Sequence, residues 1–198
     1  MIKFRKTVAR LLPYNRTHYM RAWHGRKETD AKWYAYSFQL DEDERTVSYA
    51  LNTYKPMFID IYQPFFEEVV LSFGSTSRWI VNHDYKNRKW LPNNQNNLPR
   101  LRSLFKTNNI PFSFKGALEF DTEDLLLFSK ELMLYPTSVF NRERSLYNDL
   151  EISNKEIPFI IKTTAHLDID LLSTDKELLE KFAGKKMKGS YVVQYLAL

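Results

Sequence analysis

The clearest pattern in the chain is a helical one. From Phe58 onward, apolar side chains recur every three or four residues, and the stripe consists of Phe58, Ile61, Tyr62, Phe65, Phe66, Val69, Val70 and Phe73. This spacing places them on one face of a helix, and Gly74 is the kind of residue that follows a helix end. Pro64 lies on the opposite face, so we predict one helix kinked there or two helices that meet there.

Two stretches alternate with a period of two, which is typical of strands. In residues 32–40, Tyr34, Tyr36, Phe38 and Leu40 share one face, and residues 47–51 alternate in the same way, so we predict a β-hairpin joined by an acidic turn. In residues 159–171, every second residue from Phe159 to Leu171 is in phase. This stretch predicts one long bent strand or a tight hairpin.

Weaker patterns fill in the rest of the chain. We predict strands at 78–83 and 112–120 and a final buried strand at 190–198. We also predict a helix at 98–106 and a second helix that starts within 121–124 and runs down to Pro136. Thr174 and Glu177 form a capping box for one more helix, which Gly184 ends. Because helices and strands mix without a regular βαβ alternation, the sequence predicts an α+β fold with a mainly antiparallel sheet packed with several helices.

The first residues have a different character. Residues 1–12 place Phe4, Val8, Leu11 and Leu12 at helical spacing among basic residues, which predicts a basic amphipathic N-terminal helix that ends before Pro13. Residues 1–27 hold eight of the 29 basic residues and none of the 24 acids, so this segment carries +8 and residues 28–198 carry −3. We therefore predict a detachable basic segment, 1–27, before a single domain, 28–198. A mitochondrial presequence is the less favoured interpretation, because the serine enrichment is missing.

Composition limits the function. A chain of 198 residues with 43% hydrophobic residues can bury one sizeable core. The absence of cysteine excludes disulfides and thiolate chemistry and favours a reducing compartment, so we predict a cytoplasmic protein. The apolar runs are far shorter than the ~20 residues of a membrane span. Because the sequence lacks the motifs of nucleotide-binding loops, zinc proteases and serine hydrolases, we expect no cofactor.

Four consecutive carboxylates form the acidic tip of the predicted hairpin: Asp41, Glu42, Asp43 and Glu44. Such charges accelerate the encounter with a basic protein surface, although a solvated turn also explains them. With enzyme motifs absent, the leading interpretation is a non-catalytic protein-binding domain, of the kind seen in inhibitors and immunity proteins, that masks a basic partner. The acidic tip is then its docking site.

A nucleic-acid-binding protein is the alternative. Aromatic and basic residues interleave near residues 78–90, where rings can stack on bases and cations can follow phosphates. The residues proposed for this role are Lys3, Arg5, Lys6, Arg10, Trp79, Arg88, Lys89 and Trp90. The competing interpretations are that the tryptophans face the core and that the basic segment packs on the acidic body.

A metal-dependent hydrolase is the third hypothesis. Alternation on a strand would project His166, Asp168 and Asp170 from one face, as a metal site or an acid/base pair requires. The competing interpretation is that these three side chains form the solvent face of an amphipathic strand whose other face is core.

Overall fold

The computed structural model describes residues 2–8, 10–17, 19, 32–40, 51–83, 88–92, 98–111, 113–139, 149–185 and 187–195. The strands in these residues are β1 Lys3–Arg5, β2 Tyr34–Leu40, β3 Arg78–His83, β4 Ala117–Asp121, β5 Leu150–Asn154, β6 Phe159–Thr163, β7 Ile169–Ser173 and β8 Ser190–Tyr195. The helices are α1 Leu51–Leu71, α2 Pro99–Thr107, α3 Thr122–Leu127, α4 Ser129–Ser138 and α5 Lys176–Ala183.

All eight strands form one sheet in the order β1-β4-β3-β5-β6-β7-β2-β8, and every neighbouring pair is antiparallel. The α+β fold with an antiparallel sheet is therefore confirmed. β1 and β8 lie at the two edges. The sequence neighbours β3–β4 and β5–β6–β7 are also neighbours in the sheet, whereas β2 pairs with the last two strands of the chain.

One face of the sheet carries the main hydrophobic core. Alternate residues of the central strands, such as Trp79, Ile152, Ile161 and Phe38, point to this face and pack against the helices. α1 supplies the predicted stripe, which is buried except for Ile61 and Phe73, and these two are partly buried against the core. It is one helix, not two, and it begins seven residues before the predicted stripe, with Pro56 and Pro64 both inside it.

The N-terminal helix is the main correction to the predicted elements. Lys3–Arg5 is a strand, hydrogen-bonded to β4 at the edge of the sheet, so the helix prediction is wrong there. The spacing of Phe4 and Val8 fits a helix, but Phe4 instead contacts the Phe114 ring edge-on, with centroids 5.7 Å apart. Pairing with an open strand edge overrode the local pattern. The division into a detachable segment, 1–27, and a domain, 28–198, stays a prediction.

Several other elements differ from the prediction in their bounds or partners. Residues 159–173 form the hairpin β6–β7, one of the two predicted alternatives. The helix predicted to start within 121–124 does so, with Asp121 as its N-cap, but it divides at Phe128 into α3 and α4. Asp175, not Thr174, caps α5 by accepting a hydrogen bond from the Leu178 amide. β8 lies at an edge of the sheet, and its residues 190–193 are half-buried where a buried strand was predicted. The predicted hairpin partner of β2 lies outside the described residues except for Leu51, and β2 pairs with β7 and β8.

Gly116 fixes the position of β1. A Cβ atom at this residue would lie 1.8 Å from the carbonyl oxygen of Arg5. We expect Gly116→Ala to displace β1 from β4 and to lower the free energy of unfolding by about 1–3 kcal/mol, the usual range for overpacking. Urea denaturation measures the loss. Gly184→Ala is the control, because its Cβ would meet its nearest atom at 3.9 Å. An equal effect of both substitutions would contradict this role for Gly116.

Candidate functional site

A row of polar residues crosses the second face of the sheet. The strand register places Asn82, Glu151, Lys162, Asp170 and Ser37 side by side on β3, β5, β6, β7 and β2. We call these five residues the polar row. All five are buried, and Glu151 is 0% exposed. Charged residues are rarely buried this deeply unless they are paired, so the partners of the row decide its role.

Arg16 is the partner of Glu151. Its Nε and Nη2 atoms lie 3.1 Å and 3.0 Å from Glu151 Oε2, and Nη2 also donates to the His83 carbonyl oxygen at 3.0 Å. Asn82 Nδ2 donates to the same carboxylate oxygen at 2.9 Å. Arg16 is itself buried, so this pair holds the chain around Arg16 on the sheet. Of the two interpretations of the basic segment, Arg16 therefore fits the one in which the segment packs on the acidic body.

Three aromatic rings lie beside this ion pair. Tyr14, Tyr19 and Trp33 are in mutual contact, with centroid distances from 5.0 to 5.9 Å, and they pack on the apolar residues of β2, β6 and β7 next to the row. The Tyr14 hydroxyl lies 2.8 Å from Ser153 Oγ. Burial raises the pKa of the Tyr14 and Tyr19 hydroxyls, and the Glu151 carboxylate raises both further, so both are neutral.

Asp170 and Lys162 occupy the other half of the row. Lys162 Nζ is 3.4 Å from Asp149 Oδ2 at the start of β5. Burial raises the pKa of the Asp170 carboxyl to about 7, against the opposing effects of the Ser37 hydroxyl and Lys162, while Asp168 and Asp149 raise it further. Asp170 thus changes its charge near neutral pH, inside a part of the protein that is closed to solvent.

The polar row is closed, not open to a solute. Its members are buried, Glu151 is paired with Arg16 and Lys162 with Asp149, and the aromatic rings pack beside them. Three buried oxygen atoms here have no hydrogen-bond partner among the described residues: Glu151 Oε1, Asn82 Oδ1 and the Tyr19 hydroxyl oxygen. They lie on the same face as the ion pair. We therefore interpret the row and the apolar residues beside it as the structure that anchors Tyr14, Arg16 and Tyr19.

The proposed metal cluster is not assembled. His166 is exposed in the turn between β6 and β7, whereas Asp168 and Asp170 are buried. The turn forms because Thr164 Oγ1 accepts hydrogen bonds from the His166 and Asp168 amides, so the strand does not continue through His166. The prediction of three side chains on one strand face was wrong, and so was that of a solvent face for Asp170. Within the described residues, no group of three His, Asp or Glu side chains is placed to hold a metal ion.

The aromatic residues proposed to stack on bases are inside the main core. Trp79 and Trp90 are both 0% exposed, and the Trp90 indole N–H donates to the Gly116 carbonyl at 2.9 Å. The competing interpretation, tryptophans that face the core, describes both. His83 lies beside Trp90, and its Nε2 is 2.8 Å from the Tyr135 hydroxyl; burial lowers the pKa of His83 to about 3.

The charged residues proposed as binding sites differ in their exposure and pairing. Lys3, Lys6 and Arg10 are exposed, as are Arg88 and Lys89. Arg5 is partly exposed and pairs with Glu119 at 3.1 Å. The acidic tip, Asp41, Glu42, Asp43 and Glu44, lies outside the described residues, so its role as a docking site stays a prediction.

An open groove lies between α2 and α3, and it was not predicted from the sequence. It has a volume of about 470 Å³ and is lined by Pro99, Arg100, Ser103, Leu104, Thr107, Asn108, Leu127 and Phe128. Leu127 is 55% exposed, although most leucines of the domain are buried. The sequence does show that α2 is basic and amphipathic, but only the packing reveals that α3 turns a leucine outward beside it.

Comparison with protein-family models, curated proteins and solved structures finds no match to this chain. In the described part of the chain, no helix is both long and apolar enough to span a membrane.

Proposed function

We propose that this protein is a protein-binding domain that docks an acidic, amphipathic segment of its partner in the groove between α2 and α3. The observation that carries the proposal is the exposed Leu127 at the wall of a groove of about 470 Å³. Concave surfaces with an apolar floor and a few fixed polar groups are the usual form of peptide-binding and ligand-binding sites.

The apolar surface of the groove is supported by the core. On α2, Leu101, Leu104 and Phe105 point inward. Leu104 and Phe128 are each 8% exposed and form the floor, while Leu127 stands above them on the α3 wall. An apolar side chain that enters the groove would therefore contact surface held in place from below. Preorganised surface of this kind reduces the entropy lost on binding.

Arg100 links the two helices that form the groove, α2 and α3. Its Nη2 donates to the Leu127 carbonyl at 2.7 Å, its Nε is 3.5 Å from Glu131 Oε1, and its guanidinium lies 5.5 Å from the centroid of the Phe128 ring. These contacts fix the guanidinium at the rim while half of the side chain stays exposed. A positive charge held in this way can select a carboxylate on the partner.

The charge of α2 supports an acidic partner segment. Its nine residues include Arg100, Arg102 and Lys106 and no acid, and of these three cations Arg100 lines the groove itself. Complementary charge raises the association rate and selects among partners, while apolar anchors supply most of the affinity. An amphipathic helix with leucines on one face and acids around them fits both features of the groove.

The earlier hypotheses stand beside this proposal. The acidic tip at 41–44 is still proposed to bind a basic protein surface, and a cytoplasmic location is still proposed from the absence of cysteine. In the nucleic-acid alternative, Trp79 and Trp90 can no longer be assigned to stacking on bases, because neither ring reaches the surface in the folded chain. A metal-dependent hydrolase has no assembled ligand set among the described residues.

A pair of matched leucines tests the groove. Leu127 and Leu71 are each the last residue of a helix, and each is 55% exposed. The probe is a labelled helical peptide of about 20 residues with leucine at the i, i+3, i+4 and i+7 positions, glutamate at the positions beside this face and alanine elsewhere. We expect Leu127→Gln to weaken its binding about tenfold, which is about 1.4 kcal/mol. We expect Leu71→Gln to leave binding unchanged. Fluorescence anisotropy gives the dissociation constants.

A second peptide, with lysine in place of glutamate, tests the charge. We expect it to bind at least tenfold more weakly, because α2 is basic. Tighter binding of the lysine peptide would contradict the proposal and would favour the acidic tip as the docking site. Equal losses for the two leucine variants, or no binding of the glutamate peptide to the wild type, would also contradict it.

A further inference from the structure

The two edges of the sheet differ in chemistry. β1 has three residues, all exposed, and two of them are Lys3 and Arg5. Cations on an edge strand are a common means of preventing a further strand from pairing with it. β8 has six residues, Ser190–Tyr195, and this strand contains no charged residue, no proline and no glycine. The described sheet therefore has one protected edge and one edge suited to pairing.

Apolar side chains lie on both faces of β8. The neighbouring strand, β2, is buried on both faces, since Phe38 is 0% exposed on one face and Ser37 is 1% exposed on the other. Beside it, Tyr191, Val192 and Val193 are only half-buried. The register is fixed from Ala35 to Leu40, and the Tyr191 hydroxyl donates to Gln39 Oε1 at 2.7 Å. β8 thus presents an ordered, neutral, partly apolar edge.

We propose that β8 is a homodimer interface, in which two copies of this chain pair their β8 strands antiparallel about a two-fold axis. An interface of this type puts the same patch on both subunits, so the patch must be complementary to itself. β8 meets this condition because no like charges oppose each other, and tyrosine and valine form favourable cross-strand pairs. Pairing β1 with itself would instead bring Lys3 and Arg5 of two copies together.

The mass in solution tests the proposal. We expect the wild-type protein to have twice the 23.7 kDa mass of one chain in light scattering coupled to gel filtration at about 10 µM. Val193→Lys places a cation on the β8 edge of each copy, so we expect a monomer or a dissociation constant at least tenfold higher. Val193→Thr keeps a β-branched, neutral residue and is expected to remain a dimer. Tyr191→Lys is a second charged variant, in case Val193→Lys does not fold.

The outcomes separate this interface from the groove. A folded Val193→Lys variant should bind the glutamate peptide as the wild type does, because the groove lies on α2 and α3. A wild-type protein that is monomeric at this concentration would overturn the proposal. So would a charged β8 variant that folds and remains dimeric, or a monomeric wild type whose β8 pairs with a strand of another protein.

Discussion

Arg16→Met is expected to lower the free energy of unfolding by about 3–5 kcal/mol, the range for removing one partner of a buried ion pair. The substitution leaves Glu151, which is 0% exposed, with only the Asn82 amide on its Oε2 atom among the hydrogen bonds described here. It also removes the hydrogen bond to the His83 carbonyl. Methionine has a similar length and remains apolar, so packing is largely retained. Urea denaturation at pH 7 measures the difference.

Two further variants show whether the loss comes from the uncompensated charge. Replacing both partners, Arg16→Met with Glu151→Met, is expected to recover much of the loss, because a buried ion pair contributes little over well-packed apolar residues. Arg5→Met is the control, since Arg5 pairs with Glu119 while 45% exposed, and it is expected to cost within about 1 kcal/mol. If Arg16→Met costs no more than Arg5→Met, the N-terminal segment is not anchored by this pair.

Asp170 is expected to weaken the fold as the pH rises from about 4 to 7. The carboxyl has a pKa of about 7 in the folded protein, against its ordinary pKa of 3.8 in the unfolded chain. Between these values the folded state binds one more proton than the unfolded state, so the free energy of unfolding falls with increasing pH. The decrease amounts to about 1.4 kcal/mol per pH unit, or about 4 kcal/mol by pH 7.

Asp170→Asn isolates this effect. Asparagine resembles the neutral carboxyl, so the variant should match the wild type near pH 4 and be more stable than the wild type by up to about 4 kcal/mol at pH 8. The difference between the two proteins is the proper measure, because His83, whose pKa is lowered to about 3, changes the wild-type stability in the opposite direction between pH 3 and 6.5. A difference that does not depend on pH would show that Asp170 titrates normally.

The periodic elements could be predicted from the sequence. The stripe of α1, the strands β2 and β3, and the β6–β7 hairpin all carry patterns that burial on the main core imposes, such as the alternation of Phe159 and Ile161 with Ile160 and Lys162. Their existence followed from local spacing. The strand at Lys3–Arg5 did not, because its partner, β4, lies more than a hundred residues away and no local signal marks the pairing.

The candidate sites were predicted less well, for a physical reason. Alternation places Lys162 and Asp170 on one face of the sheet, and a polar face of an antiparallel sheet is usually exposed to solvent. In the structure the N-terminal residues cover that face, and Arg16 compensates Glu151. A sequence does not show which segment packs on a sheet from outside. The groove depends likewise on how α3 meets α2, and the outward direction of Leu127 is a property of their packing.

The position of β2 determines when the sheet can be completed. β2 is made early in the chain, yet its two partners, β7 and β8, come from residues 169–195, and the Gln39–Tyr191 hydrogen bond spans 152 positions. During synthesis on the ribosome, β3 with β4 and β5 with β6 and β7 can pair as they emerge. β2 must wait for almost the whole chain. Contacts between residues this far apart slow folding, so the unpaired β2 is the segment exposed longest to association with other chains.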